Sequence, residues 1–303
     1  MKTTTTTLKK KVNLAFFQPG SKASMITNLL GILPASIDYT KNIKIIEVFC
    51  GSAIFSFNMM THFEKVYALL NDLDEILVKT FLEIKNNSAA LLLELNKTNI
   101  ASETLFNLHV LRKDNQAETD FNRVVSSLYC KFFAMPMRDN AFNSAFRNSY
   151  VDKRGIADQN NLTKLTTITK YLQNCILNNR TFDNFLKTIK TNIMKGENTL
   201  LFVDPPYLDT KSSSDNNAYQ NFNEDDMKRL LDYLDENCKI PFIFCHFPHP
   251  IVEEWATKNG HTINKFKKLS NCSNIVNKFN IHKDKEEWFI TNYTEFYTEN
   301  KNN

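Results

Sequence analysis

The sequence predicts an α/β fold built around a mostly parallel sheet, because strand and helix patterns repeat along the chain. Residues 45–49 form a short β-branched run, which is followed by a glycine turn and an apolar helical stretch. Residues 66–70 form a second strand pattern, and a helical pattern to about residue 85 follows Asp74, its expected N-cap. The alternation resumes at residue 175. Successive βα units of this kind favour parallel strands joined by right-handed crossovers.

The second half of the chain supplies the remaining elements of the predicted sheet. Its strand patterns lie at residues 175–177, 199–203 and 241–245, and its helical patterns lie at residues 182–189, 224–237 and 252–258. A last apolar run at residues 287–293 predicts a strand that pairs with residues 261–267. An open sheet of this type binds ligands beyond the carboxyl ends of its strands, near the point where strand order reverses. Residues that directly follow the strands are therefore the candidates for a functional site.

A helical insertion interrupts the alternation. Strand patterns disappear between residues 86 and 173, and a polar segment at residues 138–154 is expected to be irregular. Helical patterns surround this segment at residues 89–95, 103–112 and 119–133. The predicted organisation is a discontinuous domain of residues 12–85 and 174–296, a mostly helical subdomain of residues 86–173, and disordered termini at residues 1–11 and 297–303.

The composition argues against several classes of protein. The 303 residues are 42% hydrophobic, which is enough for a full core, and no apolar run approaches the roughly 20 residues of a membrane-spanning helix. The six cysteines are scattered without a Cys-x-x-Cys pair, so neither a metal site nor a disulfide framework is expected. The chain starts with a threonine run and lysines rather than a secretory signal, which favours a cytoplasmic protein.

Basic residues cluster although the formal net charge is only +4. The clusters lie at residues 9–11, at residues 265–268 and between Arg138 and Arg154. They are compatible with contacts to phosphate groups, and a solvated charged face explains them as well.

The sequence Asp204-Pro205-Pro206-Tyr207 directly follows the buried strand pattern of residues 199–203. The prolines fix φ and lack N–H donors, so the chain leaves the sheet in a stiff loop that orients its side chains. A carboxylate and a free backbone carbonyl together can accept both hydrogens of an exocyclic amine such as N6 of adenine. The tyrosine ring can stack on a base, which contributes roughly 1–3 kcal/mol. The alternative is a simple Asp-Pro turn that ends a strand.

A second group of candidate residues follows the first two strands. Gly51 lies in a tight turn where the backbone can approach a ligand, although a plain βα turn explains one glycine equally. Asp72 lies about 20 residues further on, where an acidic residue accepts hydrogen bonds from ribose hydroxyls in nucleotide-binding folds. Asp74 is the alternative ribose ligand, with Asp72 then capping the helix. Asp183 suits an adenine pocket or a helix N-cap.

Taken together, these motifs resemble those of the Dam-type family of bacterial and phage DNA adenine-N6 methyltransferases. The similar segments are Pro19-Gly20-Ser21-Lys22, Phe49-Cys50-Gly51, Asn71-Asp72, Arg138-Asp139-Asn140, the stretch from Phe142 to Arg147, Asp204-Pro205-Pro206-Tyr207, and the closing strand from Glu286 to Tyr293. Two segments depart from the family pattern. Ser52-Ala53 replaces a more glycine-rich turn, and residues 142–147 lack the usual Pro and Gly.

The resemblance implies a Rossmann-like methyltransferase domain that uses S-adenosylmethionine to methylate a flipped adenine in double-stranded DNA. It implies catalytic roles for Asp204, Pro205, Pro206 and Tyr207, and no metal. The residues implied to bind the cofactor are Phe17, Lys22, Glu47, Phe49, Gly51, Asp72, Asp183 and Asp204. Those implied to contact DNA are Lys22, Arg138, Asn140, Asn143 and Arg147. A monomer is expected, with a cognate restriction endonuclease as a possible separate partner.

Two other hypotheses remain open from the sequence. The first is a methyltransferase-like protein that binds DNA or a partner but has lost turnover, which the altered residues 52–53 and 142–147 allow. The second is an active enzyme with a different substrate, RNA or a protein glutamine, because the four-residue motif also occurs in such enzymes.

Overall fold

A seven-stranded sheet organises the protein, and two of its strands meet where the order of the sheet reverses. The computed structural model describes residue 12 and residues 21–97, 102–135, 138–143, 159–195, 197–208, 222–268 and 285–298. The strands of the large sheet are β1 (Ile43–Glu47), β2 (Val66–Asn71), β5 (Cys175–Asn178), β6 (Thr199–Val203), β7 (Phe242–His246), β8 (Thr262–Lys268) and β9 (Lys285–Thr291). A separate two-stranded sheet pairs β3 (Ala134–Met135) with β4 (Arg138–Phe142).

Helices connect the strands along the chain. A short 3₁₀ turn (Lys22–Met25) leads into α1 (Ile26–Leu30), and the others are α2 (Ile54–His62), α3 (Glu75–Lys97), α4 (Glu103–Asp114), α5 (Asp120–Phe133), α6 (Gln159–Leu172), α7 (Phe182–Lys195), α8 (Glu224–Asn237) and α9 (Pro250–Lys258). None of these described helices combines the length and apolarity needed to cross a lipid bilayer.

The strand order is β5-β2-β1-β6-β7-β9-β8, and β9 alone runs in the opposite direction to the other strands of this sheet. From β1 the chain moves outward to β2 and β5, and it then returns to β6 on the other side of β1. The strand order therefore reverses between β1 and β6, and a crevice opens beyond their carboxyl ends.

Hydrophobic side chains cover both faces of the sheet. Ile45 belongs to a cluster that contains residues of α1 to α6, whereas its neighbour Ile46 belongs to a cluster that contains residues of α7, α8 and α9. Adjacent residues of a strand point to opposite faces, so a fully buried parallel strand is apolar on both sides. This explains why β6 and β7 each contain an apolar run of four residues in the sequence.

Most predicted elements are confirmed within a few residues, including Asp74 as the N-cap of α3 and the pairing of β8 with β9, which is antiparallel. One expectation was wrong: the polar segment that begins at Arg138 is not irregular at its start, because β4 pairs with β3. Its sequence has no apolar alternation, and the pairing partner lies at the end of α5. The helix α6 was not predicted. The segments expected at residues 74–85 and 89–95 form one helix, α3, with a kink at Asn87. The division into domains stays a prediction.

The buried side chain of Asn71 ties together three segments at the carboxyl edge of the sheet. Its amide nitrogen donates to the carbonyl oxygens of Val48 (2.9 Å) and Arg180 (3.0 Å). Its amide oxygen accepts from the Arg180 N–H at 3.1 Å. These bonds fix the chain that leaves β1 against the chain that leaves β5.

We expect Asn71→Ala to lower the free energy of unfolding by about 3 kcal/mol, because the buried backbone groups that Asn71 serves lose a partner. Urea denaturation measures this change. The control is Asn178→Ala, at the end of β5, where one long bond of 3.5 Å to the Leu70 carbonyl is lost and a cost under about 1 kcal/mol is expected. Equal costs for the two variants would contradict this role of Asn71.

Candidate active site

An ion pair marks the place where β6 ends. Asp204 follows the last residue of β6, and the Nζ of Lys22 lies 2.6 Å from its Oδ2. The Lys22 side chain is 5% exposed and that of Asp204 is 17% exposed. Burial alone would lower the pKa of Lys22, but the charges of Asp204 and Glu287 outweigh it and raise the pKa above its ordinary value. Burial raises the pKa of Asp204, which the charge of Lys22 partly offsets. The Lys22 ammonium therefore stays charged beside the Asp204 carboxyl.

Glu287 completes this cluster, and sequence reasoning missed it as a site residue. It is fully buried in β9, and its Oε1 lies 3.3 Å from the Nζ of Lys22. Because β9 runs antiparallel, its first residues lie next to the carboxyl ends of the parallel strands. The available signal was a glutamate followed by Trp288, Phe289 and Ile290 in an apolar strand, since buried carboxylates are rare unless they are paired.

The Tyr207 hydroxyl lies between the two carboxyl groups. It is 3.0 Å from Oδ1 of Asp204 and 2.8 Å from Oε1 of Glu287. Burial and both carboxylates raise the pKa of Tyr207 well above its ordinary value, so the phenol keeps its proton. The Nζ of Lys22 also lies 4.9 Å from the centre of the Tyr207 ring. The predicted residues Asp204 and Tyr207 are thus brought together with Lys22.

His246 holds the end of the Asp-Pro-Pro-Tyr loop, and it too was missed from the sequence. The Leu208 N–H donates to its Nε2 at 3.0 Å. Its Nδ1 lies 2.7 Å from the Phe247 carbonyl oxygen, which only accepts, so Nδ1 carries the proton. The rings of His246 and Phe247 pack against Tyr207 with centres 4.8 and 4.6 Å away. Pro205 is buried within this loop, and Pro206 is half-buried.

The glycine turn after β1 is held by Asp72. Gly51 has φ of +45°, and its N–H donates to Oδ2 of Asp72 at 2.8 Å. A Cβ added at Gly51 would meet nothing within 4 Å, so the backbone conformation rather than crowding favours glycine. Ala53 adopts φ of +50°, which costs an L-residue roughly 1 kcal/mol or more. Glycine would avoid this cost, so Ala53 is a strained residue in this turn.

Asp72 and Asp74 have different roles in the structure. The Oδ1 of Asp72 accepts from the Asp74 N–H at 3.0 Å, and the Oδ1 of Asp74 accepts from the Leu77 N–H at 3.1 Å in the first turn of α3. Asp74 is therefore the helix cap, and the alternative in which Asp72 caps the helix does not hold. Burial raises the pKa of Asp72 to about 6, although its backbone hydrogen bonds oppose the rise.

Glu47, a predicted cofactor-binding residue, faces the start of α2. Its Oε1 accepts from the Ser56 N–H at 2.9 Å and from the Ser56 hydroxyl. The side chain is almost fully buried, and burial raises the pKa of Glu47 to about 8 although the bonds from Ser56 oppose the rise. Glu47 thus holds the first turn of α2, which follows the glycine turn.

Three phenylalanine rings lie beside this turn. The ring centres of Phe49, Phe182 and Phe222 are 5.8–5.9 Å apart in each pair. Asp183 is the second residue of α7 and pairs with Arg229 at 3.2 Å, so it is not the N-cap.

The Ser52 hydroxyl donates to the Ser21 hydroxyl at 3.2 Å, which connects the glycine turn to the segment that carries Lys22.

Of the predicted DNA-contact residues, Lys22 lies in this site, and the others that the structure describes lie elsewhere. Asn140 is exposed on β4, and Asn143 is half-buried just after it, with its N–H donating to the Phe133 carbonyl at 2.9 Å. Arg138 begins β4. Phe17 and Arg147 lie outside the described residues.

The raised pKa of Glu47 predicts a dependence of stability on pH. The carboxyl ionises near its ordinary value of 4.5 in the unfolded chain but only near 8 in the folded protein. Between these values the folded state holds more protons, so the free energy of unfolding falls as pH rises. Glu47→Gln keeps an oxygen for Ser56 but cannot ionise. We therefore expect it to gain stability over the unsubstituted protein from about pH 5 to pH 8 in urea titrations.

Glu64→Gln makes the same chemical change at an exposed position and is the matched control for this titration. A constant difference between Glu47→Gln and the unsubstituted protein across this range would contradict the assignment of a protonated Glu47.

Comparison with known proteins agrees with the geometry. No curated protein matches the chain. The family model of the D12 class N6 adenine-specific DNA methyltransferase matches residues 19–286, which covers most of the chain. The mixed α/β architecture, with its mostly parallel seven-stranded sheet, confirms the predicted Rossmann-like methyltransferase fold. The chain belongs to the D12 class N6 adenine-specific DNA methyltransferase family.

Proposed function

We propose that the protein transfers a methyl group from S-adenosylmethionine to N6 of an adenine flipped out of double-stranded DNA. The observation that carries this proposal is the position of Asp204. Its carboxyl group lies at the crevice between β1 and β6, paired with a buried ammonium and still 17% exposed. The proposal includes a monomeric enzyme in the cytoplasm, for which a cognate restriction endonuclease would be a separate protein.

The residues around the glycine turn fit this cofactor. The space in front of Gly51 is open, and the rings of Phe49, Phe182 and Phe222 offer an apolar surface for an adenine ring. Asp72 holds the turn and is the proposed ribose ligand, because a carboxylate can accept hydrogen bonds beyond those from backbone N–H groups. Asp183 borders the aromatic surface. When bound, S-adenosylmethionine supplies an electrophilic methyl group on a sulfonium sulfur.

The reacting amine is a weak nucleophile, because its lone pair is delocalised into the adenine ring. Asp204 accepts a hydrogen of this amine as positive charge builds on the nitrogen, so the interaction is stronger in the transition state than in the ground state. Lys22 supports this role because its positive charge favours the ionised form of Asp204. The Pro205 carbonyl is the proposed second acceptor. This direct transfer requires no metal and no covalent intermediate.

The target base must leave the duplex to reach this position, which costs a few kcal/mol. The half-buried ring of Tyr207 lies beside Asp204, and that of Phe247 packs against Tyr207. Both rings are the proposed stacking partners of the flipped base. Residues 86–173 are the proposed DNA-recognition region, since Asn140 is exposed there on a strand outside the large sheet. An asparagine side chain suits the paired donor and acceptor on an adenine edge.

Expression in a host that lacks adenine methylation tests the activity directly. We expect N6-methyladenine at one sequence motif in the host genome. Unmodified DNA, despite a folded protein that binds the cofactor, would favour a DNA-binding protein without turnover. Methylated RNA or protein glutamine with unmodified DNA would favour the other substrate classes.

The Asp204→Ala and Asp72→Ala variants are expected to lose different properties, turnover in the first and cofactor affinity in the second. Asp204→Ala should bind S-adenosylmethionine almost normally but lose turnover by on the order of a hundredfold to a thousandfold, as for other transition-state hydrogen bonds. Asp72→Ala should mainly raise the cofactor KM, because a ribose ligand binds equally in the ground and transition states. Calorimetric cofactor titration with single-turnover methyl transfer separates the two effects. Near-normal transfer by Asp204→Ala would refute its catalytic role.

Asn140→Ala is expected to relax sequence choice at one base pair, with a loss of about 1–3 kcal/mol of discrimination. Sequencing of modified bases across a host genome measures this change. Lys265→Ala, an exposed basic residue on β8, is the control: loss of a phosphate contact weakens binding to all sequences alike. An unchanged methylation motif and fidelity in Asn140→Ala would show that this residue does not read DNA.

A further inference from the structure

Four side chains form a closed ring of contacts at the end of β6. The Nζ of Lys22 lies 2.6 Å from Oδ2 of Asp204 and 3.3 Å from Oε1 of Glu287. The Tyr207 hydroxyl lies 3.0 Å from Oδ1 of Asp204 and 2.8 Å from the same Oε1 of Glu287. Asp204 and Glu287 therefore share the same two donors, one cationic and one neutral.

The two carboxyl groups compete for one hydroxyl proton. A phenol has a single O–H, so Tyr207 donates to Asp204 or to Glu287 at any moment. Glu287 has the shorter contact and is fully buried, whereas Asp204 is 17% exposed and can also be hydrated. A carboxylate without water gains more from a protein donor than a partly hydrated one. The hydroxyl proton is thus directed toward Glu287.

This preference matters for the chemistry proposed for Asp204. Lys22 already occupies Oδ2 of Asp204 with a short contact. If the Tyr207 hydroxyl also donated to Oδ1, both oxygens would carry a protein donor and would accept more weakly from a further group. With the proton on the Glu287 side, Oδ1 keeps its full capacity as an acceptor.

We propose that Glu287 is a positioning residue, which binds the hydroxyl proton of Tyr207 and thereby leaves Oδ1 of Asp204 to accept from the amine of the target adenine. The inference rests on the proposed function and assigns Glu287 a part in its chemical step. The competing explanation is that Glu287 serves only as a structural partner of the buried Lys22. That explanation gives Glu287 no functional connection to the Tyr207 hydroxyl.

The Glu287→Gln variant tests the proposal, because a neutral amide oxygen is a weaker acceptor than a carboxylate. The hydroxyl then turns to Asp204, and we expect turnover to fall at least about tenfold, less than for complete loss of a transition-state hydrogen bond. The KM values for S-adenosylmethionine and DNA should stay within about twofold, because ground-state binding is unchanged. A crystal structure should show the Tyr207 hydroxyl closer to Asp204 than 3.0 Å.

The double variant Tyr207→Phe/Glu287→Gln gives the sharper readout. Without the hydroxyl, no donor among the described residues competes for Oδ1 of Asp204, so the double variant should turn over faster than Glu287→Gln alone. Independent structural roles would instead give costs that add. A double variant slower than either single variant would overturn the proposal, as would Glu287→Gln with normal turnover.

Two further measurements keep the outcomes distinct. Glu287→Asp retains the charge but has a shorter side chain, so it should lose less turnover than Glu287→Gln. The double variant Tyr207→Phe/Glu287→Asp should again turn over faster than Glu287→Asp alone. If Glu287→Gln does not fold, Glu287→Asp is compared with its double variant instead. A double variant that is no faster than Glu287→Asp contradicts the proposal. The unsubstituted enzyme is assayed in parallel on DNA. If it transfers no methyl group, the proposed function itself fails, and the inference fails with it.

Discussion

Removing an ammonium group from water costs several kcal/mol, and a protein recovers that cost only with closely placed carboxylates. Lys22 meets this requirement with Asp204 at 2.6 Å and Glu287 at 3.3 Å. The three residues come from the start of the chain, its middle and its end, so the cluster requires that distant segments meet at one edge of the sheet. Loss of either carboxylate would leave a buried charge with fewer partners. The geometry at the end of β6 depends on this balance of charge.

The sheet topology explains why such distant residues meet. Parallel strands direct their carboxyl ends to the same edge, and the reversal between β1 and β6 opens a crevice there. The antiparallel β9 brings Glu287 to that edge from the opposite chain direction. The glycine turn is joined to the same region through Ser52 and Ser21. The glycine turn and the Asp-Pro-Pro-Tyr loop are therefore parts of one connected structure.

Local sequence signals were sufficient for part of this structure. The βα units, the Asp74 cap and the Asp-Pro-Pro-Tyr loop each involve neighbouring residues, so their patterns were readable without a fold. Glu287 and His246 were not identified as site residues, because their roles come from partners far away in the chain, at Lys22 and Leu208. The strand β4 was missed for the same reason: its polar sequence carries no alternation, and its pairing depends on β3.

The length of α3 and its kink determine how its two ends are connected. Its first residue follows the Asp74 cap beside the glycine turn, and its last residues pack among the helices of the predicted recognition region. At 1.5 Å per residue its 23 residues extend about 35 Å. Asn87 divides this length into two helical segments, each of which is stiffer than a flexible linker. Bending is easiest at Asn87, where φ of −130° interrupts the helical geometry. The kink at Asn87 therefore sets the angle between the end of α3 beside the glycine turn and the end among α5 and α6.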